Sequence, residues 1–200
     1  MLGLAWLGIW GVWLPGHSAS LQQHAIDFAE WTTFLIDVRS GDMLRMPDVL
    51  RLGLMLAVVA VAISAVAIRN GWVRWGIRLI TLIPAVVMLP PYPQLLEFWF
   101  SDSYGLRFGA CSVAFAGVLA CVLIDRLSGR SKSFILLAVV VLSFGLSLWA
   151  YVVLRVPFTI HLGRMFGPGW GTLLFGMGLV AALVMQAILI ARMNQKSPTS

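Results

Sequence analysis

Charge is scarce in this sequence. Only 11% of its 200 residues are Asp, Glu, Lys or Arg, against about 25% in a soluble domain. A soluble fold of this length has no interior large enough for the 60% that are hydrophobic, so lipid must be the solvent for much of the chain. Cysteine is nearly absent. Cys111 and Cys121 lie ten residues apart in one apolar run, which on a helix is about 15 Å of rise, too far for a disulfide. They read as small core residues, with no C-x-x-C pair and no zinc spacing around them. The three histidines, His17, His24 and His161, are scattered, so neither a metal site nor a haem-ligating pair is expected. H-E-x-x-H, G-x-S-x-G and a P-loop are all missing. No apolar run carries an ionisable residue near its middle, the usual sign of a proton or ion path. The reading is therefore of a protein that is not an enzyme and has no cofactor.

Net charge is +6, which in another setting would suggest nucleic acid. Here the basic residues sit singly or in threes between apolar runs rather than in one stripe on a polar domain, so nucleic acid is rejected as a partner. The expected fold is an all-α integral membrane protein, a bundle of about six transmembrane helices forming one domain over residues 1–200. An amphipathic interfacial helix follows the first span.

The first span is read over residues 2–14. MLGLAWLGIWGVWL covers about 21 Å as a helix, short for the roughly 30 Å hydrocarbon core, and Pro15-Gly16 end it. A cleaved signal peptide is the competing reading, but a basic n-region is missing. Residues 17–46 form the longest polar segment, taken as extracytoplasmic. Leu21, Ala25, Phe28, Trp31 and Leu35 recur at helical spacing, which predicts an amphipathic helix from Ser20 to Val38. It lies along the interface or, alternatively, over the bundle mouth as a lid. Further spans are read at 47–68, 77–89, 106–124, 134–154 and 170–191. Pro84 should kink the third, and Arg155 to Gly169 should form a loop.

Two features suggest how the spans pack. Gly53, Ala57, Ala60 and Ser64 form a small-residue seam on the second span, of the kind that lets helix backbones approach closely. The fourth span carries Gly109, Ala116 and Ala120 on one face and Ala110, Ala114, Gly117 and Cys121 on an adjacent one.

The stretch after the third span holds the strongest functional candidate. Pro90, Pro91 and Pro93 break the chain, and Tyr92, Glu97, Trp99, Asp102, Tyr104 and Arg107 follow. An aromatic-walled acidic cap there could bind a cation, an amphiphile or a partner. Arg155, His161 and Arg164, on the last outer segment, could meet it. The plainer reading is an aromatic belt with solvated charges and snorkelling side chains.

Six spans put both termini on one side. Arg69, Arg74, Arg78, Arg126, Arg130, Lys132, Arg192 and Lys196 share that side, eight basic residues against six on the other. The positive-inside rule then places both termini in the cytoplasm, with the chain in the plasma (inner) membrane. The functional expectation is a non-catalytic subunit or scaffold of a membrane complex, partnered by the bilayer and by another membrane protein or a second copy of itself. The alternative is a small-solute or lipid transport component binding at the outer cap, an architectural analogy to the membrane subunits of vitamin transporters.

Overall fold

The structure is a computed structural model and describes residues 9–13, 21–41, 43, 45–90, 104–163 and 167–195. Two strands come first, β1 (Ile9–Trp13) and β2 (Leu21–His24). Helices α1 (Ala25–Thr32), α2 (Ile36–Arg39) and α3 (Met46–Ser64) follow, the last ending in a 3₁₀ turn, Ala65–Ala67. Next are α4 (Gly71–Ile80), α5 (Ile83–Val87), α6 (Gly105–Ile124) and α7 (Gly129–Leu162). A two-residue strand β3 (Gly167–Pro168) leads into α8 (Trp170–Gln195). The chain is thus a helical bundle with one small sheet, and among the described residues four helices are long and apolar enough to cross a membrane: α3 with its 3₁₀ turn, α6, α7 and α8.

α3 is the axis. Beyond Arg51 it is apolar all round, and 67% of its most apolar window is buried inside the chain, against 17% for α8. A helix without a polar face belongs in the centre. Pro47 sits in its first turn, where the missing N–H costs no helical bond. α6 packs on one side of α3 and α7 on the other, and α8 lies outside α7. α3 runs away from the end of the bundle that carries α1, here called the mouth. α4 and α5 together return towards it, α6 runs away again, α7 returns and α8 leaves.

On α3, Gly53, Ala57 and Ala60 are buried. Ser143 of α7 donates a hydrogen bond to the Gly53 carbonyl at 2.8 Å. A Cβ at position 53 would lie 2.8 Å from the Ser147 backbone nitrogen. Ala57 and Ala60 are buried, whereas Ser64 is exposed and returns its hydroxyl to the Ala60 carbonyl at 2.8 Å. On α6 the adjacent face does the packing: Ala110, Cys111, Ala114, Val118 and Cys121 are buried. A Cβ at Gly117 would come within 2.9 Å of a Val59 methyl. Gly109 and Ala116 are exposed, Ala120 is only half-buried, and nothing lies within 4 Å of a Cβ at Gly109. Among the described residues nothing packs against Gly109. Both cysteines are free and buried.

Several expectations need correction. Residues 9–13, read as part of a helical first span, are a strand. β1 is the middle of a three-stranded antiparallel sheet of order β2-β1-β3, pairing Trp13 with Leu21 and Val12 with Gly167. Helical composition is overridden here by long-range pairing. The third span, read over 77–89, is two short helices. Pro84, in the first turn of α5, cannot donate to the Ile80 carbonyl, and the Thr81 hydroxyl turns back to the Arg78 carbonyl at 2.7 Å. The result is a complete break rather than a kink.

The helix read from Ser20 to Val38 is also interrupted. Thr32 and Thr33 donate their hydroxyls to the carbonyls of Phe28 and Ala29 at 2.8 and 3.0 Å, the competition with helix continuation that these residues favour. Leu35 then turns extended. Conversely, the loop read from Arg155 onwards begins as helix. α7 runs through Pro157 to Leu162 because Phe158 is buried in the core. The Thr159 hydroxyl takes up the Arg155 carbonyl at 2.7 Å in the same turn. Gly163, with φ 68°, supplies the left-handed cap that ends the helix.

Candidate functional site

The mouth is covered by α1. Ala25, Phe28, Ala29 and Thr32 form its buried face. The Phe28 ring lies 5.4 Å from that of Tyr151 and 5.6 Å from that of Phe158, centroid to centroid, which seats α1 on the last turns of α7. The opposite edge presents Glu30 to α3 and α6.

There Glu30 bridges two arginines. Arg51, 3% exposed, donates to Glu30 Oε2 at 3.1 Å, to Asp48 Oδ1 at 2.7 Å, to the Ala29 carbonyl at 2.9 Å and to Thr33 Oγ1 at 3.0 Å. Arg107 reaches Glu30 Oε2 at 2.8 Å and Oε1 at 3.1 Å, and its Nε donates to the Met88 carbonyl at 2.7 Å. The Met88 carbonyl is one that helix α5 cannot satisfy as it ends, so Arg107 also closes the end of α5. Two acids and two arginines make the cluster electrically neutral. It ties α1, α3, α5 and α6 at one point. A buried arginine is tolerable only when its donors are matched in this way.

A second cluster lies at the opposite end. Arg78, with no exposed surface, donates two parallel hydrogen bonds to Asp125 Oδ1 and Oδ2 at 2.7 and 2.8 Å. Its Nε donates to the Ala62 carbonyl at 3.1 Å, and its guanidinium lies 4.9 Å from the centre of the Trp75 ring. Arg74 stands 3.7 Å from the same carboxylate. The Arg78 hydrogen bond holds the Asp125 carboxyl below the ordinary carboxylate range, helped by the positive charges of Arg78, Arg74 and Lys132. This pairing locks α4 to α3 and to the end of α6. It also explains why α4 is inside-out. Its arginine edge faces the protein, and Trp72, Val73, Leu79 and Ile80 face outward.

Of the proposed cap, Tyr92, Glu97, Trp99, Asp102 and Arg164 lie outside the described residues. Arg107 belongs to the Glu30 cluster. Tyr104 is half-buried and precedes the first turn of α6, its carbonyl accepting from the Phe108 N–H at 2.8 Å. Arg155 and His161 are on α7, not on a loop, with His161 exposed. Glu30, Asp48, Arg51, Arg78 and Asp125 were not among the sequence candidates. The one local signal was the Asp48-x-x-Arg51 spacing, which sets the pair on one helix face.

Among the described residues no group of three His, Cys, Asp or Glu side chains could hold a metal ion. His24 bonds Asp27 instead, at 3.1 Å, in the first turn of α1. Between α7 and α8 a cavity of about 40 Å³ is lined by Phe144, Ser147, Tyr151, Thr172 and Phe175, room for about one water. The chain matches no protein-family model, and no curated protein or solved structure matches it.

Proposed function

We propose that this protein is a non-catalytic subunit or scaffold of a membrane complex. The observation that carries the reading is the Glu30 cluster, whose four charged side chains are engaged with one another and with backbone carbonyls. Charges arranged so are staples between helices, with no group left poised for acid–base work. The partner would take the small-residue face of α6 that the described residues leave exposed at Gly109 and Ala116. We infer a plasma-membrane location with the Arg78–Asp125 end in the cytoplasm, where the basic turns collect, and α1 on the outer face.

A small-solute or lipid transport component is the second reading. It is favoured by α1, which covers the mouth as a lid held by one bridging carboxylate. Native mass spectrometry on gently extracted protein separates the two. A stoichiometric second polypeptide, or a defined homo-oligomer, supports the scaffold. A lone chain that keeps its fold overturns it, and one carrying a reproducible small molecule supports transport.

A further inference from the structure

The Arg78–Asp125 end differs from the mouth in that its charges do not balance. Residues 69–78 and 125–132 carry Arg69, Arg74, Arg78, Arg126, Arg130 and Lys132 against a single acid, Asp125. Arg78 already occupies both oxygens of that acid. Arg74 is left with a buried Nε that has no hydrogen-bond acceptor among the described residues, while 27% of its side chain is open to the outside. Among the described residues Arg74 thus has only a long ion pair, 3.7 Å, to an acid that Arg78 already bonds. The turn that follows Asp125 adds Arg126, Arg130 and Lys132 before and within the first turn of α7, which Ser128 caps.

The outward face of α4, across from its arginine edge, selects the source of an anion for Arg74. Trp72 on the same helix is 91% exposed, and the outward face continues through Leu79, Ile80 and Ile83, each more than half exposed. A soluble phosphate would have no use for that surface. A phospholipid would place its phosphate at the guanidinium, the indole at headgroup level and its acyl chains along the apolar face. We propose that this corner is a binding site for an anionic phospholipid, with Arg74 and Lys132 as the phosphate ligands and the outward face of α4 and α5 as the acyl-chain track. The site is independent of the mouth and rests only on the chain spanning a bilayer.

The test is lipid titration of the purified chain in non-ionic detergent, read by native mass spectrometry. Phosphatidylglycerol and phosphatidylcholine of equal chain length are the probes. The expected result is about tenfold tighter retention of phosphatidylglycerol. Arg74→Gln should abolish that preference, Arg74→Lys should keep most of it, and Arg45→Gln, an exposed cation at the mouth, should leave it unchanged. Lys132→Gln should weaken it in part, and serves as the readout should Arg74→Gln fail to fold. Equal retention of both lipids overturns the proposal, as does an unchanged preference in Arg74→Gln. Inorganic phosphate that binds the lipid-free protein and blocks phosphatidylglycerol at millimolar concentration overturns the choice of a lipid.

Discussion

The two ends of the bundle solve the same problem with opposite stoichiometry. At the mouth one carboxylate serves two arginines, and Asp48 and backbone carbonyls take up the remaining donors. At the far end one carboxylate serves one arginine completely, and a second stands at 3.7 Å without a bond. The mouth cluster shares its load among several acceptors and holds down a helix, α1, that lies outside the long apolar helices. The far cluster concentrates its load on Asp125 and ties α4 to the ends of two long helices, α3 and α6. Loss of an acceptor should therefore be local and graded at the mouth, and global at the far end.

The largest effect is expected from Asp125→Asn. It removes the one acid facing Arg78, whose side chain has no exposed surface, and breaking such a pair from one side costs about 3–5 kcal/mol. Thermal unfolding in detergent should show a large drop in Tm. A drop no larger than that of a surface substitution would mean that Arg78 finds water, and the contrast between the two ends would collapse. Next in size is Gly53→Ala, on the mouth side of α3, two residues from Arg51 and nine from Ala62. The added methyl meets the Ser147 backbone at 2.8 Å and must push α3 from α7, an overpacking cost of about 1–3 kcal/mol. If the two ends are separate units, this change should lower Tm without altering hydrogen exchange in α4 relative to the rest.

Glu30→Gln should cost about 1 kcal/mol globally. Arg51 retains Asp48, the Ala29 carbonyl and Thr33, Arg107 retains the Met88 carbonyl, and Glu30 itself is 39% exposed. The change should instead loosen α1, seen as faster amide exchange across residues 25–33 with the far end unaltered. Equal loosening of α4 would show that the two clusters act as one.

These contrasts also mark what the sequence makes legible. Apolar runs at 47–68, 106–124, 134–154 and 170–191 carry their own evidence, because length and composition alone decide whether a helix can span a bilayer. Helical spacing likewise puts small residues such as Gly53 and Ala57 on one stripe. The clusters were not legible. Glu30 and Arg107 are 77 residues apart, and Arg78 and Asp125 are 47 apart. Each arginine taken alone is indistinguishable from an interfacial anchor. On α6 the sequence offers two small faces, and only the position of Val59 decides that the Gly117 side packs. The strand at Ile9–Trp13 is the plainest case. Its composition suits a membrane helix, and its partners, Leu21–His24 and Gly167–Pro168, are invisible from within it.

The smallest predicted effect separates the ends by acidity. The folded-state pKa of Asp125 is depressed by its hydrogen bond to Arg78, and its unfolded value is near the reference of about 3.9. A depressed acid stabilises the fold above its unfolded pKa, and that stability is lost as pH falls through the folded value. Asp125 therefore contributes fully at neutral pH, and its contribution should begin to fade only below about pH 4. Wild-type Tm measured from pH 6 down to pH 3 should fall more steeply at the acid end than that of Asp125→Asn, which has no proton to gain there. Parallel curves would show that Arg78 does not depend on the carboxylate charge, and would leave the far end held by packing and the Ala62 carbonyl alone.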